Sequence, residues 1–107
     1  MAARALINLP KTAKRGSVIE IKTLISHVME TGYRHSTEGQ AIPRDIITSF
    51  TAKFDGEEIF STTFYPAIAA NPFVTFFTVA DKSGTLTFTW EGDNGFSVTE
   101  EAKIVVS

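Results

Sequence analysis

Thr85-Leu86-Thr87-Phe88-Thr89-Trp90 alternates between threonine and a large apolar side chain. An extended strand sends neighbouring side chains to opposite faces, so Leu86, Phe88 and Trp90 share one side and three threonines the other. One apolar face and one hydroxylated face describe an antiparallel strand with a core on one side and water on the other. Ser83-Gly84 turns the chain into this run and Asp93-Asn94-Gly95 turns it out.

The same period extends in both directions. Downstream, Phe96, Val98, Ala102, Ile104 and Val106 fall on one face. Upstream, Ile46, Phe50, Ala52 and Phe54 do so, then Asp55-Gly56 supplies a two-residue hairpin turn, and Phe60 and Phe64 continue on the return strand. After Asn71-Pro72, a run places Phe73, Phe77 and Val79 on one side and Val74 and Phe76 on the other. Two more strands are expected at roughly Arg4 to Leu9, stopped by Pro10, and at about Val18 to Ser26. No stretch has convincing helical periodicity. The fold predicted is all-β: an immunoglobulin-like antiparallel β-sandwich of about seven strands, a single domain over residues 1–107. Its expected core is Phe50, Phe54, Phe60, Phe77, Leu86, Phe88, Trp90, Val98 and Ile104.

Composition narrows the chemistry. The 107 residues suffice for a core without staples. Nine phenylalanines against two tyrosines and one tryptophan fit pleated, half-buried surfaces. No cysteine is present, so there is no disulfide, no thiol nucleophile and no cysteine-bound zinc. A net charge of −2 gives no global attraction for nucleic acid or anionic lipid. Residues 1–36 carry six basic and two acidic side chains, and residues 37–107 carry four and ten. That asymmetry fits a basic docking face or simply solvated loops. No apolar run is long enough to span a membrane, and the first residues lack the apolar segment of a signal peptide. Residence in the cytosol or export by an indirect route is therefore expected.

Catalytic and metal-binding patterns are absent. His27 and His35 lie eight apart with no ligand spacing around them. Glu57-Glu58 and Glu100-Glu101 are strand neighbours pointing opposite ways, which suits solvent better than a carboxylate dyad. No phosphate loop or nucleophile elbow appears. No enzyme activity, catalytic residue, cofactor or metal is expected. An acid–base pair of His27 with Glu30 is the enzymatic alternative; the other is a loop histidine bonded to its own backbone. A free-standing sandwich that binds a small ligand or carbohydrate is a further alternative.

Two segments point to partner binding. Residues 27–43 form a long connection, a length often tied to function. Within it Met29 and Tyr33 either pack on the core or stand out as anchors. The run from Pro72 to Phe77 is apolar on both faces, so Val74 and Phe76 are candidates for contact with another protein, unless the chain from Pro66 to Asn71 folds over them.

Lys22-Thr23-Leu24-Ile25-Ser26-His27-Val28-Met29-Glu30-Thr31-Gly32 resembles the signature of the SoxZ family. The resemblance continues at Ile42-Pro43, Asn71-Pro72-Phe73 and Thr89-Trp90. Val28 stands where the family often has proline, and Gly92 lengthens the turn after Trp90. The family supplies the small subunit of SoxYZ, the sulfur-compound carrier of bacterial thiosulfate oxidation. The resemblance implies a non-catalytic subunit that pairs with SoxY. SoxY holds sulfur intermediates on a cysteine of its flexible C-terminal arm and presents them in turn to the Sox enzymes. It also implies a periplasmic location, reached by export with a signal-bearing partner. A carrier subunit without SoxY is expected either to be unstable or to self-associate. His27, Met29, Tyr33 and Arg34 join Val74 and Phe76 as candidate interface residues, with the planar fork of Arg34 suited to a carboxylate or a sulfur oxyanion.

Overall fold

A computed structural model describes residues 4–27, 29–30, 32–33, 35, 37–64 and 71–107. Among the described residues eight strands form two sheets: β1 (Ala5–Asn8), β2 (Thr12–Ala13), β3 (Val18–Ile25), β4 (Ile47–Phe54), β5 (Glu57–Thr63), β6 (Phe73–Val79), β7 (Gly84–Gly92) and β8 (Ser97–Val106). One sheet has the order β1-β3-β6, the other β2-β8-β7-β4-β5. All neighbours are antiparallel except β2 and β8. The predicted sandwich is present, with one strand more than expected. The addition, β2, is only two residues long, and its parallel pairing with β8 is set by chain crossing rather than by any local pattern.

The alternation read from β7 holds: Leu86, Phe88 and Trp90 are buried. Asp55-Gly56 makes the expected hairpin, with φ of 47° and 87°, the mirror-image turn that matches strand twist. Ile46, just before β4, and Ile47, its first residue, are both buried; a register shift between Ile47 and Ser49 breaks strict alternation, so that Ile47 and Phe50, three apart, both face the core. Phe50 is the aromatic hub of the core. Its ring lies 5.1 Å from Trp90, 6.1 Å from Phe60, 6.2 Å from Phe76 and 6.3 Å from Phe88, between centroids. The three-stranded sheet adds Ile19, Ile21, Thr23 and Ile25 from β3. Buried Thr23 satisfies its hydroxyl by donating to the Val74 carbonyl at 3.1 Å.

β6 requires a correction. Phe76 is the inward residue, 5 % exposed, while Phe77 is 63 % exposed. The two faces were separated correctly in the sequence, but the wrong one was given to the core. Phenylalanine on both sides leaves alternation without a polar face to mark as solvent. Register decides instead: Phe76 is paired with buried Ile21 and Phe77 with exposed Glu20. Phe54, Phe60 and Val98 are half-buried, packing against the core rather than lying within it.

Candidate functional site

The described residues between β3 and β4 form an excursion with antiparallel arms. Two isolated bridges, Glu30 with Asp45 and His35 with Ala41, hold its arms together. The Glu30 N–H donates to the Asp45 carbonyl at 2.8 Å and the Asp45 N–H returns the bond at 2.7 Å. At its base the His27 side chain is 6 % exposed. His27 Nδ1 accepts from the Met29 N–H at 3.0 Å. Nε2 faces an Asp45 carboxylate oxygen 3.7 Å away, and the ring meets Phe96 edge-on at 4.8 Å. Asn71 clamps the backbone of His27 from both sides, accepting its N–H at the side chain and donating to its carbonyl. His27 thus bonds to the backbone of its own turn, as in the backbone-bonded alternative, with the Asp45 carboxylate facing its other nitrogen.

Met29 resolves the other open question in the loop. It is 5 % exposed, with φ of 52°, and its sulfur accepts from the Ile47 N–H at 3.2 Å. It is a core residue, not an anchor presented to a partner. Tyr33 is 78 % exposed. Arg34 lies outside the described residues. Arg44, which the sequence did not single out, and Asp93, expected there only as a turn residue, lock the excursion to the turn after β7. The guanidinium donates twice to the carboxylate, at 2.8 and 2.9 Å, and the Ile46 N–H donates to it at 3.1 Å. The hydrogen bonds from Arg44 hold the Asp93 carboxyl below the usual range, and the same pair raises Arg44 above its own. Gly92 makes the close approach feasible. A Cβ there would sit 2.8 Å from Ile47 Cα and collide with the Ile46 carbonyl oxygen.

A group of exposed apolar residues lies elsewhere, on the outer face of β1-β3-β6. Val18, Leu6, Phe73, Phe77 and Val79 all stand exposed there. Register arranges them in two groups. Leu6, Leu24 and Phe73 form a row across the sheet at one end, and Val18 and Val79 form a pair near Phe77 at the other. Between them runs a polar belt of Asn8, Lys22 and Thr75, with Glu20 beside Phe77. Lys22 and Glu20 bridge at 3.3 Å. Of the two β6 residues proposed as contacts, Val74 is half-buried against the core and Phe76 belongs to it. The exposed residues are their neighbours in sequence. The signal that could have found them is the pairing of Val18 with Val79, which gives that face apolar side chains from two strands.

A cleft of about 240 Å³ opens at the end of the sandwich away from the loop, between Ile19, Phe54, Leu86 and Ile104. Its rim mixes both charge signs, with Glu57, Asp81 and Lys82. Among the described residues no three His, Cys, Asp or Glu side chains cluster closely enough for a metal ion. Among the described residues no helix is long and apolar enough to cross a membrane.

The sequence model of the family described as "Sulphur oxidation protein SoxZ" matches residues 7–103. No curated protein matches the sequence. Among solved structures, superoxide reductase (neelaredoxin) from Ignicoccus hospitalis aligns with a TM-score of 0.72 at 18% identity, covering 96% of this chain and 80% of that one. The sulfur carrier protein SoxY from Chlorobium limicola f thiosulfatophilum aligns at 0.68 and 14% identity, covering 96% and 78%. A putative superoxide reductase from Thermotoga maritima aligns at 0.67 and 19% identity, covering 96% and 85%. At these identities the likeness is one of fold.

Proposed function

The chain belongs to the SoxZ family of sulphur oxidation proteins, and from that premise we propose that it is the non-catalytic subunit of a SoxYZ-type carrier in thiosulfate oxidation. It binds SoxY, and the SoxY cysteine arm carries the covalent sulfur intermediates from one Sox enzyme to the next. The Sox enzymes then meet this chain only transiently, as part of the complex, in the periplasm. The observation that carries the proposal is the pairing of family membership with a sequence devoid of cysteine. A subunit with no thiol cannot hold sulfane sulfur itself, because the nucleophile in that chemistry is a thiolate. Its contribution must pass through a chain that has one.

The test is direct. Mixing the purified chain with SoxY should give a stable one-to-one complex by light scattering. Mass spectrometry after incubation with thiosulfate and the Sox enzymes should then find the sulfur adducts on SoxY alone. An adduct on this chain, or no complex, would remove the assignment.

A further inference from the structure

We propose that Asn94 is a site of covalent modification, at which the side-chain amide closes on the backbone nitrogen of Gly95 and is converted, without an enzyme, to aspartate and isoaspartate. The change falls on the turn that carries Asp93, and so on the clamp that ties this turn to the excursion between β3 and β4.

The chemistry is intramolecular and balances with water alone. Hydroxide takes the Gly95 N–H proton, and the nitrogen attacks the side-chain carbonyl carbon of Asn94. A carbon–nitrogen bond forms there, the side-chain amide nitrogen leaves as ammonia, and a five-membered succinimide remains. Water then adds to one of the two ring carbonyls and breaks the bond from that carbon to the ring nitrogen. Opening at the side-chain carbonyl gives aspartate. Opening at the main-chain carbonyl gives isoaspartate, in which the backbone runs through the former side chain. Nucleophile and carbonyl sit on adjacent residues, so the rate depends on how easily the local backbone brings them together.

The sequence has three asparagines, and the structure separates them. Asn8 lies in β1, paired with Lys22, and the nitrogen after it belongs to branched Leu9. Asn71 precedes Pro72, whose nitrogen has no proton to lose, and its side-chain oxygen accepts the His27 N–H at 2.9 Å. Asn94 is exposed and precedes Gly95, around which a Cβ would meet nothing within 4 Å. Asp55-Gly56 has the same following glycine, but there the carboxylate is engaged by the Thr85 N–H at 2.9 Å. Asparagine is among the residues that heat damages first, and of these sites only Asn94 combines exposure, an amide and a following glycine.

The backbone shows what the reaction would undo. Asn94 has φ of 60° and ψ of 31°, and Gly95 has φ of 74°. Ring closure turns ψ of Asn94 away from this value, and glycine at the next position accepts the change in its own φ. Two hydrogen bonds close over the pair: the Phe96 N–H donates to the Asp93 carbonyl at 3.1 Å, and the Gly92 N–H donates to the Phe96 carbonyl at 2.9 Å. Isoaspartate inserts one more backbone carbon between those partners. Either product also adds a carboxylate beside Asp93, where it competes for the Arg44 guanidinium.

Warm incubation of the natural chain in mildly alkaline and mildly acidic buffer, followed by peptide mass mapping, tests the site. The peptide holding Asn94 should gain the mass difference between an amide and an acid, several-fold faster in the alkaline buffer. Part of the product should accept methyl groups from an isoaspartyl methyltransferase. The peptides holding Asn8 and Asn71 should convert several-fold more slowly. The urea midpoint of the aged natural chain should fall. Asn94→Gly, a residue at ease with φ of 60°, should lose the mass gain and keep its own midpoint through the same treatment. Even conversion of all three asparagines overturns the site. So does conversion of Asn94 that occurs only in urea, since the folded turn then protects it. An unchanged midpoint after full conversion overturns the effect on the clamp.

Discussion

Phe60 and Phe76 lie flat against each other across the sandwich, with ring centroids 4.6 Å apart and planes 4° from parallel. The contact joins β5 of the larger sheet to β6 of the smaller, and Phe50 borders both rings. The next residue, Phe77, points the other way into solvent. Two adjacent phenylalanines thus have opposite roles. Phe76→Ala should destabilise the domain by about 3–5 kcal/mol, through lost transfer energy and a cavity between the sheets. Phe77→Ala should stay within about 0.5 kcal/mol. Urea unfolding of the isolated variants measures both, and equal costs would contradict the assigned faces.

Trp90 is fully buried, and its indole Nε1 has no hydrogen-bond partner among the described residues. A buried donor left unpaired carries a desolvation cost of about 1–3 kcal/mol. Trp90→Phe removes that donor while keeping most of the ring against Phe50. It should cost less than about 1.5 kcal/mol in thermal or urea unfolding. Trp90→Ala, which empties the site, should cost about 3–5 kcal/mol. A phenylalanine variant as damaged as the alanine one would show that the nitrogen has a partner in solution.

The strands that alternate cleanly were legible in the sequence. β7 has threonine on one face and apolar residues on the other, so its phase needs no partner to define it. β6 was legible as a strand but not in its phase, because Phe73, Phe76 and Phe77 leave both faces apolar and only the pairing with β3 decides. The excess of apolar surface on β6 was therefore legible, but Val74 and Phe76 were expected to expose it where the structure exposes Phe73 and Phe77. The turn-bound state of His27 and the burial of Met29 depend on Asn71, Asp45 and Ile47. Those residues lie 18 to 44 positions away, beyond the reach of any local pattern.

The clamp between Arg44 and Asp93 predicts a pH dependence with a defined sign. The folded-state pKa of Asp93 is lowered, first by the Arg44 hydrogen bond and then by the Ile46 N–H. A lowered carboxyl pKa means that the unfolded chain binds the proton more readily. The stabilisation is therefore complete above the unfolded value, about pH 4, and is lost as pH falls through the folded one. Asp93→Asn should lower the urea midpoint at pH 7, and its deficit against the parent should shrink by pH 3. A deficit of the same size at both pH values would show that the clamp does not act through the ionised carboxylate.

Met29 allows two parts of one residue's contribution to be separated. Its side chain is buried at the base of the excursion, and its sulfur is the acceptor for the Ile47 N–H at the start of β4. Met29→Ala removes both volume and acceptor and should cost about 2–5 kcal/mol. Met29→Leu keeps the volume and removes only the acceptor. An ordinary swap of this kind in a core costs less than about 1.5 kcal/mol. Here it also strands a buried backbone N–H, which adds about 1–3 kcal/mol. The leucine variant should therefore lose more stability than a simple repacking would, and amide exchange at Ile47 should accelerate in it. The left-handed backbone at Met29 is unchanged between the two variants, since neither residue introduces β-branching at φ of 52°. If Met29→Leu unfolds with the parent's urea midpoint and Ile47 exchanges at the parent's rate, the sulfur contact contributes nothing and the residue acts by volume alone.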